Sequence, residues 1–422
     1  MIRTLTPGRI CRGTVAAIPS KSDAHRLLLC AALADAPTEI AVGNGELSAD
    51  IHATMACIKA LGGDVTEEKG YLRVAPIRSA KQSEPILCDC GESGSTARFL
   101  LPIAAAAGHV TPITLTGHGR LPQRPFAPLC DALRAGGADI DRDLLPITTR
   151  GELRAGEFTI AGNISSQYIT GLLLALPLLE ADSRITLTTP LESRGYVDMT
   201  LSTLTRFGVH VTADDRGWQV PASPYRSPGR IAAEGDWSNA AFWLCAGAVS
   251  GTVSVTGLSA DSCQGDRRIA DILRRFGAEV VSCGDTVTVS PAPLRGITLS
   301  VADIPDLVPI LAVVAAAAEG ETRFTDAGRL RLKESDRLAT VSAMICALGG
   351  DARIEGDTLI VRGGKPLRGG TVDSANDHRI AMSAAVAALL CTDGAELQGA
   401  EAVEKSYPAF WADYDRLCNT QI

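Results

Sequence analysis

Apolar positions along this chain recur in one order: a helical stretch, a glycine, then an alternating strand. The segments IKALGGDV (58–65), ALRAGGADI (132–140), LTRFGVHV (204–211), LRRFGAEV (273–280) and ICALGGDA (345–352) share it, with aligned glycines Gly62, Gly137, Gly208, Gly277 and Gly349. Each reads as a helix stopped by a C-cap glycine and followed by a strand. Several copies continue through a charged or glycine turn into a second strand, as in EKGYLRVAP, DRGWQVPA, CGDTVTVSP and EGDTLIVRG, which predicts hairpins. The glycines fall about 70 residues apart, so six units fit the 422-residue chain. Units of this size cannot bury their apolar faces alone and must stack.

A cluster of turn formers, Ser223-Pro224-Tyr225-Arg226-Ser227-Pro228-Gly229, interrupts the pattern near mid-chain. EGDWSNAAFWLCAGA (234–248) follows and reads as an N-cap entering an apolar helix. This break favours two lobes of three units over one long solenoid, with a ligand expected between the lobes. The fold class expected is therefore α/β, in six repeated helix/strand units, three per lobe.

Composition narrows the partners. Hydrophobic residues make up 46% and charged residues 21%, with a net charge of −8 and 4% aromatics. An acidic balance with few aromatics argues against nucleic acid and against an anionic membrane surface. An anionic ligand would need a local basic pocket. MIRTLTPGRICRG lacks the apolar core of a signal peptide, and the apolar run Val308–Ala318 contains a proline and is too short to span a bilayer. Twelve cysteines show no CxxC pair and no zinc spacing, which fits a reducing cytoplasm and no structural metal.

Such a basic pocket has candidate parts. Arg331-Leu332-Lys333-Glu334-Ser335-Asp336-Arg337-Leu338 mixes charges of both signs. If helical, it puts Lys333 and Arg337 on one face beside Glu334, able to hold an anion and move a proton. Pro19-Ser20-Lys21-Ser22-Asp23-Ala24-His25-Arg26 and Gly91-Glu92-Ser93-Gly94-Ser95-Thr96-Ala97-Arg98 each lead into an apolar helix, offering hydroxyls and backbone N–H groups to an anion. Neither is a P-loop, and each also reads as a plain cap or turn. Arg120 and Arg124 are stiffened by Pro122 and Pro125. Ser165-Ser166-Gln167 and Ser193-Arg194-Gly195-Tyr196 open further helices. Asp306, in IPD, is either a cap or a general base. Asn376-Asp377-His378-Arg379 and Glu404-Lys405-Ser406-Tyr407-Pro408 precede the last helices, and His378 alone reads as a cap partner.

Taken in order, PSKS…R, GxSGSTAR, Arg124-Pro125, SSQ, SxxY, IPD, LKESDRL, NDHRIAM and KSYP resemble the 5-enolpyruvylshikimate-3-phosphate (EPSP) synthase family from Pro19 to Pro408. LKESDRL and NDHR are specific, and the ordered set more so. The resemblance implies a two-lobed inside-out α/β barrel, with lobes of 20–231 and of 1–19 plus 232–422 joined by two hinge crossings. It implies transfer of the enolpyruvyl group of phosphoenolpyruvate to the 5-hydroxyl of shikimate 3-phosphate, releasing phosphate, with no cofactor and no metal. A monomer in the cytoplasm is expected, with glyphosate competing against phosphoenolpyruvate.

Carried over motif by motif, Lys21, Ser22, Arg26, Ser165, Ser166, Gln167, Ser193, Asp306 and Lys333 would bind shikimate 3-phosphate. Lys21, Gly94, Arg124, Gln167, Arg337, Arg379 and Lys405 would bind phosphoenolpyruvate. The catalytic set would be Asp306 as base on the hydroxyl, Glu334 as acid and base at the methylene carbon, and Lys21, His378 and Lys405. Glu92 and Arg329 depart from the family pattern, which often has Asn at both. UDP-N-acetylglucosamine enolpyruvyl transferases share the architecture, but the PSKS motif favours the shikimate acceptor. A binding protein without turnover is disfavoured by intact Asp306, Glu334, Lys21 and Lys405.

Overall fold

The computed structural model describes residues 1–43, 45–78, 84–107 and 111–420. They divide into two compact units, Met1–Ser20 with Glu46–Ser48 and Glu234–Ile422, and Lys21–Gly45 with Ala49–Ala233.

The second of these holds helices α1 (Lys21–Leu33), α2 (Ala49–Ala60), α3 (Gly94–Ala106), α4 (Ala127–Ala135), α5 (Ser166–Ala175) and α6 (Arg194–Arg206). The first holds α7 (Trp237–Val249), α8 (Ile269–Phe276), α9 (Val308–Ala317), α10 (Arg337–Ala347), α11 (His378–Ala387) and α12 (Phe410–Leu417).

One plan recurs among the repeats. A strand leads into a helix, a parallel second strand follows, then a second helix, then an antiparallel hairpin that completes a four-stranded sheet. In one copy Glu157–Ile160 enters α5, pairs in parallel with Ser183–Leu187, and after α6 the hairpin Thr212–Asp214/Gly217–Val220 closes the sheet. Among the described residues three four-stranded sheets have this form, and two more exchange their first strand: Gly13–Ala16 pairs in parallel with Val253–Thr256, and Arg230–Ala232 with Thr38–Ala41. The right-handed crossover preferred by parallel strands explains why the helix must lie between them.

The five C-cap glycines do what the sequence predicts. Gly62, Gly137, Gly208, Gly277 and Gly349 all have positive φ, between 81° and 109°, a region that other residues enter at a cost. The sixth copy differs. Its sheet has three strands, and the N-terminal strand Ile2–Leu5 lies antiparallel to Ala395–Gln398 where a hairpin would be. The chain's beginning finishes the repeat that its end starts.

The first helix of each repeat is the apolar one, and it lies inside. α9 is buried from Val308 to Ala316, and α7 and α11 pack against it. A helix apolar on all sides has to be covered all round, which the sheets provide. In the other unit α3 packs closely on α5. Pro102 has no N–H to donate to the Arg98 carbonyl, and Gly171 of α5 sits against that oxygen: a Cβ there would lie 2.3 Å from it.

Candidate active site

Site residues share one topological address. Each repeat has two strand-to-helix junctions at the carboxyl ends of its parallel strands, where ligands are commonly held by loops and helix N-termini. Lys21 opens α1, Asp50 opens α2, Gly94 opens α3, Arg124 precedes α4, Ser165 caps α5 and Ser193 precedes α6. Asp236 caps α7, Asp266 precedes α8, Asp306 precedes α9, Lys333 to Arg337 lead into α10, Asp377 caps α11 and Lys405 precedes α12. The first six belong to one unit and the last six to the other.

In the α1–α6 unit, Lys21 Nζ donates to Asp50 Oδ2 at 2.7 Å, both side chains being largely buried. Arg26 is a strut. Its guanidinium donates to Thr200, Thr170 and the Ser22 and Tyr196 carbonyls, and lies over the Phe99 ring. Burial lowers its pKa to about 10. Between these two basic residues, His25 is buried and its Nδ1 is 2.8 Å from Thr54 Oγ1. Thr54 bonds Thr96, which bonds the Ser93 hydroxyl that caps α3. Burial first, then Lys21 and Arg26, push the His25 pKa well below its usual value.

The Gln167 amide is held at both ends. Its Oε1 accepts from Arg98 Nη1 at 2.6 Å and its Nε2 donates to Ser95 Oγ at 2.9 Å. Arg98 is in turn clamped by the Pro125 carbonyl and the rings of Phe126 and Tyr168. Gly94 leaves room for Arg124, whose Nη1 would be 2.6 Å from a Cβ at that position. Ser165 accepts from the Gln167 N–H, and Ser166 begins the helix, buried. Ser193 is buried with φ of 55°, and its side chain makes no cap hydrogen bond to α6. A non-glycine residue held in the left-handed region points to a constraint beyond the helix start.

The α7–α12 unit gathers the acid and base groups around one arginine. Arg337 is 1% exposed. Its Nε and Nη2 donate to the two oxygens of Asp377 at 2.8 and 3.1 Å, its Nη1 to Asp306 Oδ1 at 2.6 Å, and its Nη2 lies 2.6 Å from Glu334 Oε2. Three carboxylates outweigh burial and raise its pKa further. Asp306 sits amid cations: besides Arg337, Lys333 Nζ is 3.3 Å away and Arg379 Nη2 3.6 Å. Burial lowers the Lys333 pKa, Asp306 opposes this, and Arg337 and Arg329 add to the lowering. Lys405 Nζ donates to the Asn376 carbonyl at 2.8 Å, and Asn376 has a left-handed φ of 55°. His378 is buried, its Nδ1 3.9 Å from Asp377 Oδ1.

The α1–α6 unit offers hydroxyls and basic groups and the α7–α12 unit paired carboxylates and cations, groups that suit anionic substrates and proton transfer. Comparison with known proteins gives the family. Residues 5–414 match the sequence profile of EPSP synthase (3-phosphoshikimate 1-carboxyvinyltransferase). The chain belongs to the EPSP synthase family. Relatives named 3-phosphoshikimate 1-carboxyvinyltransferase include those of Clostridium kluyveri, 39% identical over 96% of this chain and 95% of that protein. The Clostridium novyi protein is 40% identical over 94% and 93%. The EPSP synthase structure from Acinetobacter baumannii superposes with a TM-score of 0.82 at 24% identity, covering 99% of this chain and 98% of that one. An enolpyruvyl transferase from Streptomyces tendae gives 0.78 at 18%, over 98% and 97%. These likenesses show the fold that the family resemblance implies, the inside-out α/β barrel of enolpyruvyl transferases.

Within this EPSP synthase fold several sequence readings need correction. LKESDRL is not one helix: Gly328–Leu332 is a 3-10 turn, Lys333 is extended, and α10 starts at Arg337 behind the cap Asp336. The cap's side chain accepts from the Ala339 N–H, which fixes the helix start there. Glu334 and Arg337 still meet, across the bend instead of along a helix face. Asp306 lies inside the turn Pro305–Leu307, where Ile304 and Leu307 hold the cap positions. His378 is the first residue of α11, and Asp377 supplies the cap, accepting from the Arg379 N–H. Glu92 lies over the turn at His118 and Gly119, with its carboxylate 3.9 Å from His118.

Asp50, Arg98, Asp266 and Asp377 were not assigned roles from sequence. Asp377 and Arg98 stand inside recognised motifs, and an acidic residue capping a helix beside a basic motif was the available signal. Asp50 carried no signal, because its partner Lys21 is 29 positions away.

Proposed function

We propose that the protein transfers the enolpyruvyl group of phosphoenolpyruvate to the 5-hydroxyl of shikimate 3-phosphate, giving 5-enolpyruvylshikimate 3-phosphate and phosphate, on the route to chorismate and aromatic amino acids. The observation that carries this reading is the placement of Asp306 among Lys333, Arg337 and Arg379 in a chain of the EPSP synthase family.

A proton is added to the methylene carbon of phosphoenolpyruvate, the acceptor oxygen bonds the adjacent carbon, and its proton leaves to a base. Loss of phosphate and of one methyl proton then restores the double bond. Asp306 is the base for the hydroxyl, and Glu334 delivers and removes the carbon proton. Glu334 lies against Arg337, which favours its carboxylate form, so a bound anion on Arg337 is what would let it carry the proton.

In this reading Ser165, Ser166 and Ser193 take the phosphate of shikimate 3-phosphate, with Lys21, Ser22, Arg26, Gln167 and Lys333 around its ring. Arg26 already has partners for its guanidinium, so its part is to hold Ser22 and Tyr196 in place as much as to touch the ligand. Lys21, Gly94, Arg124, Gln167, Arg337, Arg379 and Lys405 receive phosphoenolpyruvate. Arg337 would exchange a carboxylate partner for it. His378 supports this set from behind Asp377. Arg329, close enough to weaken the proton affinity of Lys333, adds positive charge on the acceptor side. We propose a monomer in the cytoplasm, a compartment consistent with free cysteines throughout the described chain. Among the described residues no helix is long and apolar enough to cross a membrane. Glyphosate is proposed to compete with phosphoenolpyruvate.

Offering phosphoenolpyruvate with either shikimate 3-phosphate or UDP-N-acetylglucosamine tests the acceptor. Phosphate release with the first alone supports the reading; release with only the amino-sugar nucleotide replaces it.

A further inference from the structure

Asp266 sits in the turn Gly265–Arg268 before α8, 2% exposed. The Ser238 hydroxyl donates to its Oδ2, while Oδ1 is buried with no hydrogen-bond partner among the described residues. A buried carboxylate oxygen without a hydrogen bond is costly, so the residue calls for a role beyond its bond to Ser238. Its surroundings give it another use. Asp306 from the turn before α9, Arg379 from α11 and Asp236 at the start of α7 are near enough for their charges to act on it. On its own turn Arg267 bonds the Ala260 carbonyl and Arg268 lies 3.8 Å from Asp303. Burial, followed by the charge of Asp306, raises the Asp266 pKa to about 6; Arg379 and the Ser238 bond oppose the rise, and Asp236 adds to it.

Asp306 has the opposite problem. Lys333, Arg337 and Arg379 crowd it at 3.3, 2.6 and 3.6 Å, and cations so close make a carboxylate a poor proton acceptor. We propose that Asp266 is a positioning residue for the reaction, whose buried negative charge offsets these cations and keeps Asp306 able to take the proton of the acceptor hydroxyl. The inference rests on the enolpyruvyl-transfer reading and deepens it. Protonation of Asp266 withdraws the offset, so turnover falls as pH drops through the Asp266 titration, although Asp266 touches no substrate.

The test is the pH profile of kcat for the wild type, Asp266→Asn and Ser238→Ala, with KM for both substrates. The wild type should show an acid limb near 6, the Asp266 value. Asp266→Asn should lose that limb and run about 10-fold slower on its plateau, with both KM values within about 3-fold. Ser238→Ala removes a bond that favours the charged form. It should keep the plateau rate and move the limb to higher pH, by about half a unit to one unit. An Asp266→Asn profile parallel to wild type, or a Ser238→Ala limb that does not move, overturns the inference. Ser238→Ala decides alone if Asp266→Asn fails to fold. A wild type that turns over neither acceptor defeats the functional reading itself, which separates the two failures.

Discussion

Arg337 grips both oxygens of Asp377 at 2.8 and 3.1 Å, in a place where neither is more than 1% exposed. The pair joins the start of α10 to the start of α11, and the second and third partners of Arg337 are the two carboxylates proposed to move protons. Asp377 is thus the fixed anchor of an arginine whose remaining donors face the chemistry. A paired charge in the interior is neutral at best for stability, but removing Asp377 takes the two-oxygen partner from buried Arg337, the acceptor from the Ser335 hydroxyl and the cap from α11, leaving Asp306 and Glu334 to hold the arginine.

Asp377→Ala is therefore expected to destabilise the protein by about 3–5 kcal/mol, read from urea unfolding. Burial pushes the Asp377 pKa up, but Arg337 outweighs it and the net direction is down. A folded-state value below the unfolded one gives stability that is present above about pH 3.9 and lost as pH falls through the folded value. The variant should lack that acid-side loss. Equal stability of variant and wild type at neutral pH would show that the anchor is unimportant.

His25 gives a second pH dependence in another window. Its folded-state pKa lies well below its usual value, chiefly through burial. The unfolded chain then binds a proton below about pH 6.5 that the folded chain refuses, so stability declines from there downward. His25→Gln should flatten the stability curve just below pH 6.5. A curve of unchanged slope in that variant contradicts a neutral buried His25.

At Gly94 the prediction is steric. An added Cβ would lie 2.6 Å from Arg124 Nη1, closer than real contacts allow, so Gly94→Ala must shift that guanidinium. The variant should be inhibited less by glyphosate, with a rise in KM for phosphoenolpyruvate and little change in KM for shikimate 3-phosphate. Unchanged inhibition would refute the argument.

Glu334→Gln keeps the shape and removes the proton. Turnover should fall by about 10²–10⁴-fold with substrate affinities nearly unchanged, as measured by steady-state kinetics and equilibrium binding. Near-normal turnover would take the carbon-proton role away from Glu334.

The repeat was legible because its parts are local. A C-cap glycine, a charged turn and strand alternation lie within a dozen residues of one another, and Gly62, Gly137, Gly208, Gly277 and Gly349 announce them in register. What sequence could not show depends on distant partners. The pairing of Ile2–Leu5 with Ala395–Gln398 joins the two ends of the chain. Lys21 finds Asp50, and Arg98 finds Gln167, only after folding. The shape of LKESDRL was misread for a related reason: its charges fit a helix face, but Asp336 caps α10 and forces a bend before it. Asp266 carries no motif of its own and becomes meaningful only beside Asp306.

The chain is expected to join phosphoenolpyruvate to shikimate 3-phosphate. Incubating the purified protein with both, then counting released phosphate against product by mass spectrometry, tests it most directly. One phosphate per enolpyruvyl ether formed, with neither produced when one substrate is omitted, is the expected result. A folded protein that binds both compounds yet releases no phosphate would contradict it.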